Sequence, residues 1–351
     1  MGKGEAKVRI GFIGAGAICE QRHLPGLASI DSAEVVAVCN RSEASGNKIA
    51  ERWGIGDVMT DWRGLVVRDD IDAVFIGTWP YMHAEMAAAV LDAGKHVFCQ
   101  ARMACNVEEA RKMLEAADEH SELVNMICPP PHRMPYEAYV QKVLKEEELG
   151  TLREVRVVCR NASDVGPLNW RQRIEYSGQQ IMQVGIWAEV LHAWVGEYRE
   201  LEAMFEVPLA EKDDPETEKP YRIEIPQVVK VSGRLGCGVM VSEDHSAVAI
   251  GEDENHVTFI GSEGAMRVHV GGPVERATSE EAEYEKVDVP AEYVRDWEVE
   301  SDFIEAIHMA REGVDTVNRR VSPDFAEGLK YMKKMDAVHR AARQGKVVVL
   351  Q

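Results

Sequence analysis

The chain has 351 residues, of which 45% are hydrophobic and 28% are charged. This length and composition predict a packed globular protein of about two domains and exclude a wholly disordered or collagen-like chain. The formal net charge of −20 at pH 7 repels phosphate backbones and anionic membrane surfaces, so neither nucleic acid nor a membrane is an expected partner.

Seven cysteines are spread along the chain, and no two of them form a C-x-x-C pair. Most lie in apolar, strand-like runs, where cysteine behaves as a small hydrophobic residue. The N-terminal segment M-G-K-G-E-A-K leads directly into a short apolar run and does not reach the apolar length of a signal peptide. We therefore expect a protein of the reducing cytoplasm. No His, Cys or carboxylate cluster has metal-ligand spacing, so we expect no metal.

The first 127 residues alternate short apolar runs with longer amphipathic ones. The short runs are rich in β-branched residues and comprise residues 8–13, 34–39, 73–77, 96–99 and 123–127. The amphipathic runs have helical spacing and include residues 43–53, 82–93 and 107–120. Strands alternating with helices predict an α/β fold with a doubly wound parallel sheet of the Rossmann type.

Three consecutive prolines, Pro129 to Pro131, mark a change of pattern, because they remove three amide donors in succession. Beyond a helix at residues 135–148, alternating runs predict a mostly antiparallel open sheet with one helix at residues 182–195. The predicted strands are residues 154–160, 201–207, 227–234, 239–243, 256–260 and 265–270. The charged stretch 210–219 is interpreted as an exposed loop.

These patterns divide the chain into two domains, residues 1–127 and residues 128–351. The second is an α/β domain, and its final helix at residues 323–344 is expected to pack back against the first domain.

The run G-F-I-G-A-G-A-I-C closes the first predicted strand and opens a helix. Gly14 suits a tight turn, and Gly16 lets a pyrophosphate approach the backbone. Amides at the start of the helix, including those of Ala17 and Ile18, offer donors to the phosphates along a favourable dipole. Cys19 occupies the third small position of the motif G-x-G-x-x-G/A. We expect dinucleotide binding here; the alternative is a glycine turn that binds nothing.

The motif also calls for a polar residue at the end of the second strand, where this chain has Asn40, Arg41 and Ser42. An acid in place of Asn40 would accept from the ribose hydroxyls and repel a 2′-phosphate. Asparagine removes that repulsion, while Arg41 and Ser42 offer donors to the phosphate. The sequence therefore fits NADP at least as well as NAD.

Further landmarks extend along the chain: H-L-P-G-L at residues 23–27, T-W-P-Y-M-H at 78–83, A-G-K-H-V-F-C at 93–99, N-W-R at 169–171 and S-G-Q-Q-I-M-Q-V-G-I-W at 177–187. With these motifs the chain resembles the Gfo/Idh/MocA family from Val8 almost to Gln351. The resemblance implies a Rossmann domain followed by an α/β domain whose open sheet forms homodimer or homotetramer contacts. It also implies hydride exchange between a nicotinamide cofactor and a sugar, cyclitol or related compound.

The resemblance breaks at the catalytic positions. Where the family usually reads E-K-P, this chain has Gln100, Ala101 and Arg102, so the lysine is missing. The acid and the histidine of the family's D-x-G-x-H are replaced by Gln183 and Trp187. General acid–base catalysis needs a group with a suitable pKa near the moving proton. We therefore do not expect alcohol oxidation through the usual residues.

Four residues are candidates for holding the substrate: Arg102, Gln183, Trp187 and His132. Arg102 follows the missing lysine and can clamp a carboxylate or an oxyanion; the alternative is a solvated surface arginine. Gln183 and Trp187 lie four apart on one helix face, and Trp187 fits a buried core equally well. His132 follows the triple proline and is also a candidate proton-transfer group; its alternative is an ordinary loop histidine.

Beyond the glycine turn, the resemblance places six residues around the cofactor: Thr78, Trp79, His83, Gln100, Trp170 and Arg171. His83 has the alternative of bonding only the loop backbone, and Trp170 and Arg171 have the alternative of core packing. The leading hypothesis is an NAD(P)-dependent oxidoreductase of a sugar, a cyclitol or a related hydroxy or carbonyl compound. Two others stay open: a redox-neutral lyase or glycosidase-like enzyme that retains NAD(H), and a degenerate regulator that senses a dinucleotide or a metabolite.

Overall fold

The computed structural model describes residues 6–131, 133, 135–278, 280, 283–313 and 321–350, without the side chain of Met182. Contacts group the chain into two compact units. The first contains the residues up to Pro129 together with Glu298–Leu329, and the second contains Pro130–Trp297 and the residues from Lys330 onward. The sequence-based division into residues 1–127 and 128–351, with residues 323–344 packed on the first domain, stays a prediction.

Six parallel strands form the sheet of the first unit in the order β3-β2-β1-β4-β5-β6. They are β1 (Val8–Ile13), β2 (Ala33–Cys39), β3 (Asp57–Met59), β4 (Ala73–Ile76), β5 (His96–Cys99) and β6 (Asn125–Ile127). Every residue of β4 and β5 is buried, as expected for parallel strands covered on both faces. The strand order reverses between β1 and β4, which is where doubly wound sheets bind their ligands.

Among the residues that the structure describes, six helices belong wholly to the first unit: α1 (Leu24–Ala28), α2 (Glu43–Trp53), α3 (Trp62–Val66), α4 (His83–Asp92), α5 (Val107–Glu119) and α9 (Val299–Arg311). A π-helical turn at Cys19–His23 leads into α1, and a 3-10 turn at Pro80–Met82 leads into α4. Local sequence sets the ends of α2, because Ser42 caps its first turn and Gly54 ends it with a φ of 68°.

Stacked phenylalanines fill the centre of the first unit. Phe12, Phe75 and Phe98 are register partners on β1, β4 and β5, with ring centroids 5.0 and 4.4 Å apart along the series. Phe303 of α9 meets Phe75 edge-on at 5.4 Å. Aromatic contacts of this kind add to the stabilisation from burial, so α9 packs on the Rossmann sheet although it lies far along the chain.

The second unit is built on a nine-stranded sheet in the order β16-β15-β14-β13-β7-β12-β11-β8-β17. Its strands are β7 (Glu154–Arg160), β8 (Tyr198–Glu206), β11 (Val228–Leu235), β12 (Met240–Ser246), β13 (Glu254–Ile260), β14 (Gly264–His269), β15 (Val274–Thr278), β16 (Glu285–Val287) and β17 (Val348–Val349). β7 and β12 run parallel, and the other neighbouring pairs run antiparallel. The predicted fold class is therefore confirmed.

In the described part of the second unit, three helices lie wholly within it: α6 (Glu137–Lys145), α7 (Ile174–Ser177) and α8 (Met182–Val195). Helix α10 (Phe325–Gln344) begins in the first unit, and from Lys330 it belongs to the second. Within the described ranges, no helix is both long and apolar enough to cross a bilayer.

Several predicted boundaries shift by up to three residues, and two of the differences bear on the fold and the site. The stretch 210–219 was expected to be a loop, but β9 (Glu211–Asp213) forms within it and pairs with β10 (Pro220–Arg222) as a two-stranded ribbon. The strand expected at residues 239–243 continues to Ser246 as β12, because register pairing with β7 and β11 extends that far. Cross-strand pairing outweighed the polar composition in both places.

Candidate cofactor turn and substrate cavity

Gly14 forms the tight turn after β1. Its φ is +80°, and a Cβ added here would lie 2.7 Å from Thr78 Cγ2 and 2.8 Å from the Thr78 amide nitrogen. The left-handed backbone and the neighbouring chain both require glycine. The turn thus brings the end of β1 against the loop after β4.

Gly16 has a different environment, because no atom lies within 4 Å of where its Cβ would be. Gly16, Ala17 and Ile18 are exposed, and the helix starts here with the Glu20 amide donating to the Gly16 carbonyl at 3.1 Å. The first amides of a helix have no partner within the helix and favour an anion. The open space and these donors fit a dinucleotide pyrophosphate.

Cys19 fills the third small position of the motif. Its thiol is buried, and a Cβ on Gly77 would lie 2.6 Å from the Cys19 sulfur. Burial raises the pKa of this thiol to about 11, so cysteine packs here as a neutral side chain. Because Gly77 has no side chain, the Cys19 thiol fits at the position where the motif G-x-G-x-x-G has its third glycine.

Asn40 braces the turn from the end of β2. Its Oδ1 accepts from the Ala15 amide at 2.8 Å, and its Nδ2 donates to the Ala15 carbonyl at 3.3 Å. Ser42 caps α2 by accepting from the Ser45 amide, whereas Arg41 is exposed. Asn40, predicted to face the ribose or its phosphate, therefore uses both polar groups of its side chain to bond the turn. Arg41, predicted for the same contact, extends into solvent.

His83 links the two loops that follow β4 and β5. Its side chain is fully buried, with Nε2 3.0 Å from the Thr78 carbonyl and Nδ1 3.0 Å from the Arg102 carbonyl. Burial lowers the pKa of its imidazole. The geometry matches the backbone-bonding alternative, while cofactor contact by His83, Thr78 and Trp79 stays a prediction.

A second buried histidine orients Gln100. His23 Nδ1 lies 2.5 Å from Glu300 Oε1, and its Nε2 lies 3.3 Å from Gln100 Oε1. A Cβ on Gly26 would lie 2.6 Å from Glu300 Oε2, so glycine there admits the carboxylate. Arg102 is only 7% exposed, which contradicts the solvated-surface alternative for this arginine.

The second unit contains a cavity of about 320 Å³. Its polar lining residues are Ser163, Asp164, Asn169, Arg171, Gln180, Gln183, Gln227 and His245. Its apolar lining residues are Ile181, Ile225, Pro226, Val229 and Ala247. A concave site that combines convergent polar groups with apolar side chains is typical of small-molecule binding.

The predicted residues of this unit fall into two groups. Gln183 and Arg171 line the cavity, and the Arg171 guanidinium lies 4.5 Å from the Trp170 ring centroid. Trp187 belongs to the core, because it is 1% exposed and its indole nitrogen donates to Asn255 Oδ1 at 3.0 Å. This geometry matches the buried-core alternative for Trp187, and its contact with a substrate stays a prediction. His132 lies outside the described residues.

The sequence reasoning missed His245. It is 1% exposed, it lines the cavity, and its Nε2 lies 2.8 Å from Glu243 Oε2. Glu243 in turn contacts Lys334 and Tyr198 through Oε1. A signal existed, since Glu243 and His245 are two apart in a strand and so share one face. Among the described residues, no group of three or more His, Cys, Asp or Glu side chains could hold a metal ion.

The six-stranded sheet with its glycine turn, followed by the mixed sheet with its polar cavity, defines a two-domain oxidoreductase of the NAD-binding Rossmann class. Two family models match the chain: "Oxidoreductase family, NAD-binding Rossmann fold" over residues 8–127 and "GFO/IDH/MocA C-terminal domain" over residues 138–267. Together they span more than half of the chain. The chain belongs to the GFO/IDH/MocA family of NAD-binding oxidoreductases.

Curated relatives match parts of the chain. It is 37% identical over 112 residues to the 4-carboxy-2-hydroxymuconate-6-semialdehyde dehydrogenase of a Sphingobium strain, which covers 32% of this chain and 35% of the relative. It is 30% identical over 148 residues to the levoglucosan dehydrogenase of Pseudarthrobacter phenanthrenivorans, with 41% and 37% covered. The matches thus span about a third of these relatives.

A solved structure of a levoglucosan dehydrogenase in complex with NADH and L-sorbose superposes with a TM-score of 0.86. The alignment covers 98% of this chain and 99% of that one at 21% identity. At this identity the likeness establishes the fold.

Proposed function

We propose that the protein is an NAD(P)-dependent oxidoreductase that exchanges hydride between a nicotinamide cofactor and a sugar, a cyclitol or a related hydroxy or carbonyl compound. The observation that carries the proposal is the glycine turn, where Gly14 is required by geometry and Gly16 faces open space. Family membership and the polar cavity of the second unit support it.

The cofactor is held by the exposed helix start at Gly16, Ala17 and Ile18, with Arg41 and Ser42 beyond the end of β2. When bound, the nicotinamide supplies a hydride acceptor or donor. Asn40 holds the turn in place through Ala15. Because Asn40 carries no charge to repel a 2′-phosphate and Arg41 is exposed, NADP is accepted as well as NAD.

The substrate is a small polyhydroxylated molecule. The cavity volume of about 320 Å³ lies at the lower end of the roughly 300–1,000 Å³ typical of ligand sites, which favours one sugar ring. Asp164 and Arg171 supply opposite charges, and Gln180, Gln183 and Gln227 supply amides that both donate and accept. This lining suits neutral hydroxyl groups.

The catalytic set departs from the family pattern at Ala101, Gln183 and Trp187. Gln183 contacts the substrate in this proposal, because it lines the cavity, and Arg102 stabilises negative charge. His132 stays a predicted substrate contact.

We further propose a cytoplasmic homodimer or homotetramer. The cytoplasmic location is supported by the seven cysteines, which form no disulfide among the described residues. The assembly is supported by Met204, which is exposed on β8.

The test is a turnover screen of the purified protein with NAD⁺ or NADP⁺ and a panel of D-glucose, myo-inositol and levoglucosan. Formation of reduced nicotinamide is followed by its near-ultraviolet absorbance, and assembly is measured by light scattering. Reduced nicotinamide accumulating in excess over the protein supports the proposal. A redox-neutral lyase or glycosidase-like enzyme that retains NAD(H) converts a substrate without that accumulation. If the protein binds neither coenzyme, the proposal is overturned.

A further inference from the structure

We propose that His245 is the acid–base residue of the cavity in the second unit, held by Glu243 and Lys334, and that it transfers the proton of a hydroxyl group on a neutral single-ring polyol. The inference rests on the proposed function and assigns the proton transfer that the replaced lysine and histidine would have performed.

One ring nitrogen of His245 is engaged and the other is not. Nε2 lies 2.8 Å from Glu243 Oε2, while none of the described residues provides a hydrogen-bond partner for the buried Nδ1. A buried polar atom without a partner is costly unless it has a role. Because His245 lines the cavity, a ligand hydroxyl there is a suitable partner for Nδ1.

Glu243 fixes the tautomer of His245. Burial opposes ionisation of Glu243, but the Lys334 ammonium and the His245 imidazole outweigh it and hold the pKa of this carboxyl below its usual range. An ionised carboxylate only accepts hydrogen bonds, so Nε2 of His245 carries the hydrogen and Nδ1 is left as the proton acceptor. This is the relation of a catalytic histidine to its orienting carboxylate.

Three elements hold Glu243 in position. Lys334 of α10 donates to Glu243 Oε1, as does the hydroxyl of Tyr198 on β8, while His245 follows on β12 itself. Lys334 and Glu243 are 0% and 3% exposed. Such a fully enclosed pair contributes little net stability compared with apolar residues of similar size, which favours a positioning role for both.

Other buried histidines do not combine a place on the cavity wall with one bonded and one unbonded ring nitrogen. His23 and His83 have both ring nitrogens near oxygen atoms of neighbouring groups. His339 has Nε2 2.9 Å from the Gln179 carbonyl and a buried Nδ1 for which no described residue provides a hydrogen-bond partner, but the cavity lining does not include it. His339 is thus a matched control, since it is 5% exposed and has one engaged nitrogen.

A nicotinamide held by the glycine turn would supply the hydride acceptor for the carbinol C–H electron pair, and the O–H electron pair would then become the second bond of the new carbonyl. The released proton binds His245 Nδ1, and the resulting imidazolium lies beside the Glu243 carboxylate. The reverse reaction returns that proton to the alkoxide. Among the described residues, the other titratable or charged groups are Asp164 and Arg171 on the cavity wall, and Tyr198, Lys334 and His192 around Glu243.

The first test is NMR of the full-length protein labelled with ¹⁵N-histidine. We expect the His245 ring to show the Nε2–H tautomer, assigned by its absence in His245→Gln. Added levoglucosan, D-glucose or myo-inositol should shift the Nδ1 resonance of His245 and leave that of His339 unchanged. An Nδ1–H tautomer, or no shift of His245 with any compound that the enzyme turns over, overturns the inference. This arm needs no activity of the variant.

The second test compares His245→Gln, Glu243→Gln and His339→Gln in steady-state turnover of whichever panel compound the native protein converts. General acid–base catalysis contributes about 10²- to 10⁴-fold, so His245→Gln should lose that factor in kcat with unchanged NADPH affinity. Glu243→Gln should lower kcat with little change in KM and shift the pH profile, and His339→Gln should retain activity. Full kcat in His245→Gln overturns the inference alone, whereas failure of the native protein to bind either coenzyme overturns the proposed function.

Discussion

Replacing Gly16 with alanine separates cofactor binding from folding. No atom lies within 4 Å of the new Cβ, and Gly16 is absent from the residues with positive φ. The folded chain therefore accepts the methyl group without strain. The entropy gain of about 0.4–1 kcal/mol from removing a glycine is offset by the preference for glycine over alanine at a helix N-cap. The free energy of unfolding should change by less than about 1 kcal/mol.

The same methyl group enters the space that the pyrophosphate needs. Forcing one extra carbon into a close-packed contact costs about 1–3 kcal/mol, which corresponds to roughly a 5- to 150-fold weaker Kd. Gly16→Ala should therefore bind NADH and NADPH more weakly while its Tm stays within about 4 °C of the native value.

The assay is titration of nicotinamide fluorescence with NADH and NADPH, paired with thermal unfolding of the same samples. Gly56→Ala is the control, because Gly56 is exposed in the same unit and its added Cβ would meet no atom closer than 4.0 Å. It should retain native affinity. Native affinity in Gly16→Ala would refute the placement of the pyrophosphate at this turn.

Three further predictions concern charge and burial. Arg41→Ala should weaken NADPH binding about 10- to 150-fold, because it removes a charge-assisted contact worth about 1.5–3 kcal/mol. The affinity for NADH should not change. Equal losses of affinity for both coenzymes would exclude a contact with the 2′-phosphate. Burial lowers the pKa of His96 to about 4, and its Nδ1 accepts a hydrogen bond from the Val124 amide at 2.9 Å. As the pH falls, the histidine of the unfolded chain is therefore protonated before that of the folded chain. The free energy of unfolding should fall by roughly 3 kcal/mol from pH 6.5 to 4. The variant His96→Asn keeps a side-chain oxygen that can accept the same hydrogen bond. Its free energy of unfolding in urea should fall less steeply as the pH decreases, and an unchanged slope would contradict the assignment to His96. Lys334→Met should lose about 3–5 kcal/mol by leaving Glu243 buried without its cation, and adding Glu243→Gln should recover part of that loss; no recovery would mean that Lys334 acts through packing.

The first unit could be predicted closely from its sequence because its signals are local. Apolar runs of strand length, Gly54 at a helix end and the turn around Gly14 each depend on neighbouring residues in the chain. The role of Asn40 was not local: its amide bonds Ala15, which lies 25 positions earlier. Only the assembled sheet brings these two residues together.

The second unit was harder to predict because its site depends on pairing between distant strands. The expected strand ended at Glu243, whereas pairing with β7 extends β12 past His245 to Ser246. That difference of three residues concealed the acid–histidine pair. Trp187 shows the opposite case, since its spacing from Gln183 suggested a shared pocket, but burial against Asn255 decided its place.

A crystal structure of the protein grown with saturating NADPH tests the central claim most directly. The account predicts one dinucleotide per chain, with pyrophosphate oxygens within hydrogen-bond distance of the amides of residues 16–18. A well-ordered dinucleotide bound elsewhere, or crystals from saturating NADPH and NADH that both lack density at this turn, would contradict it.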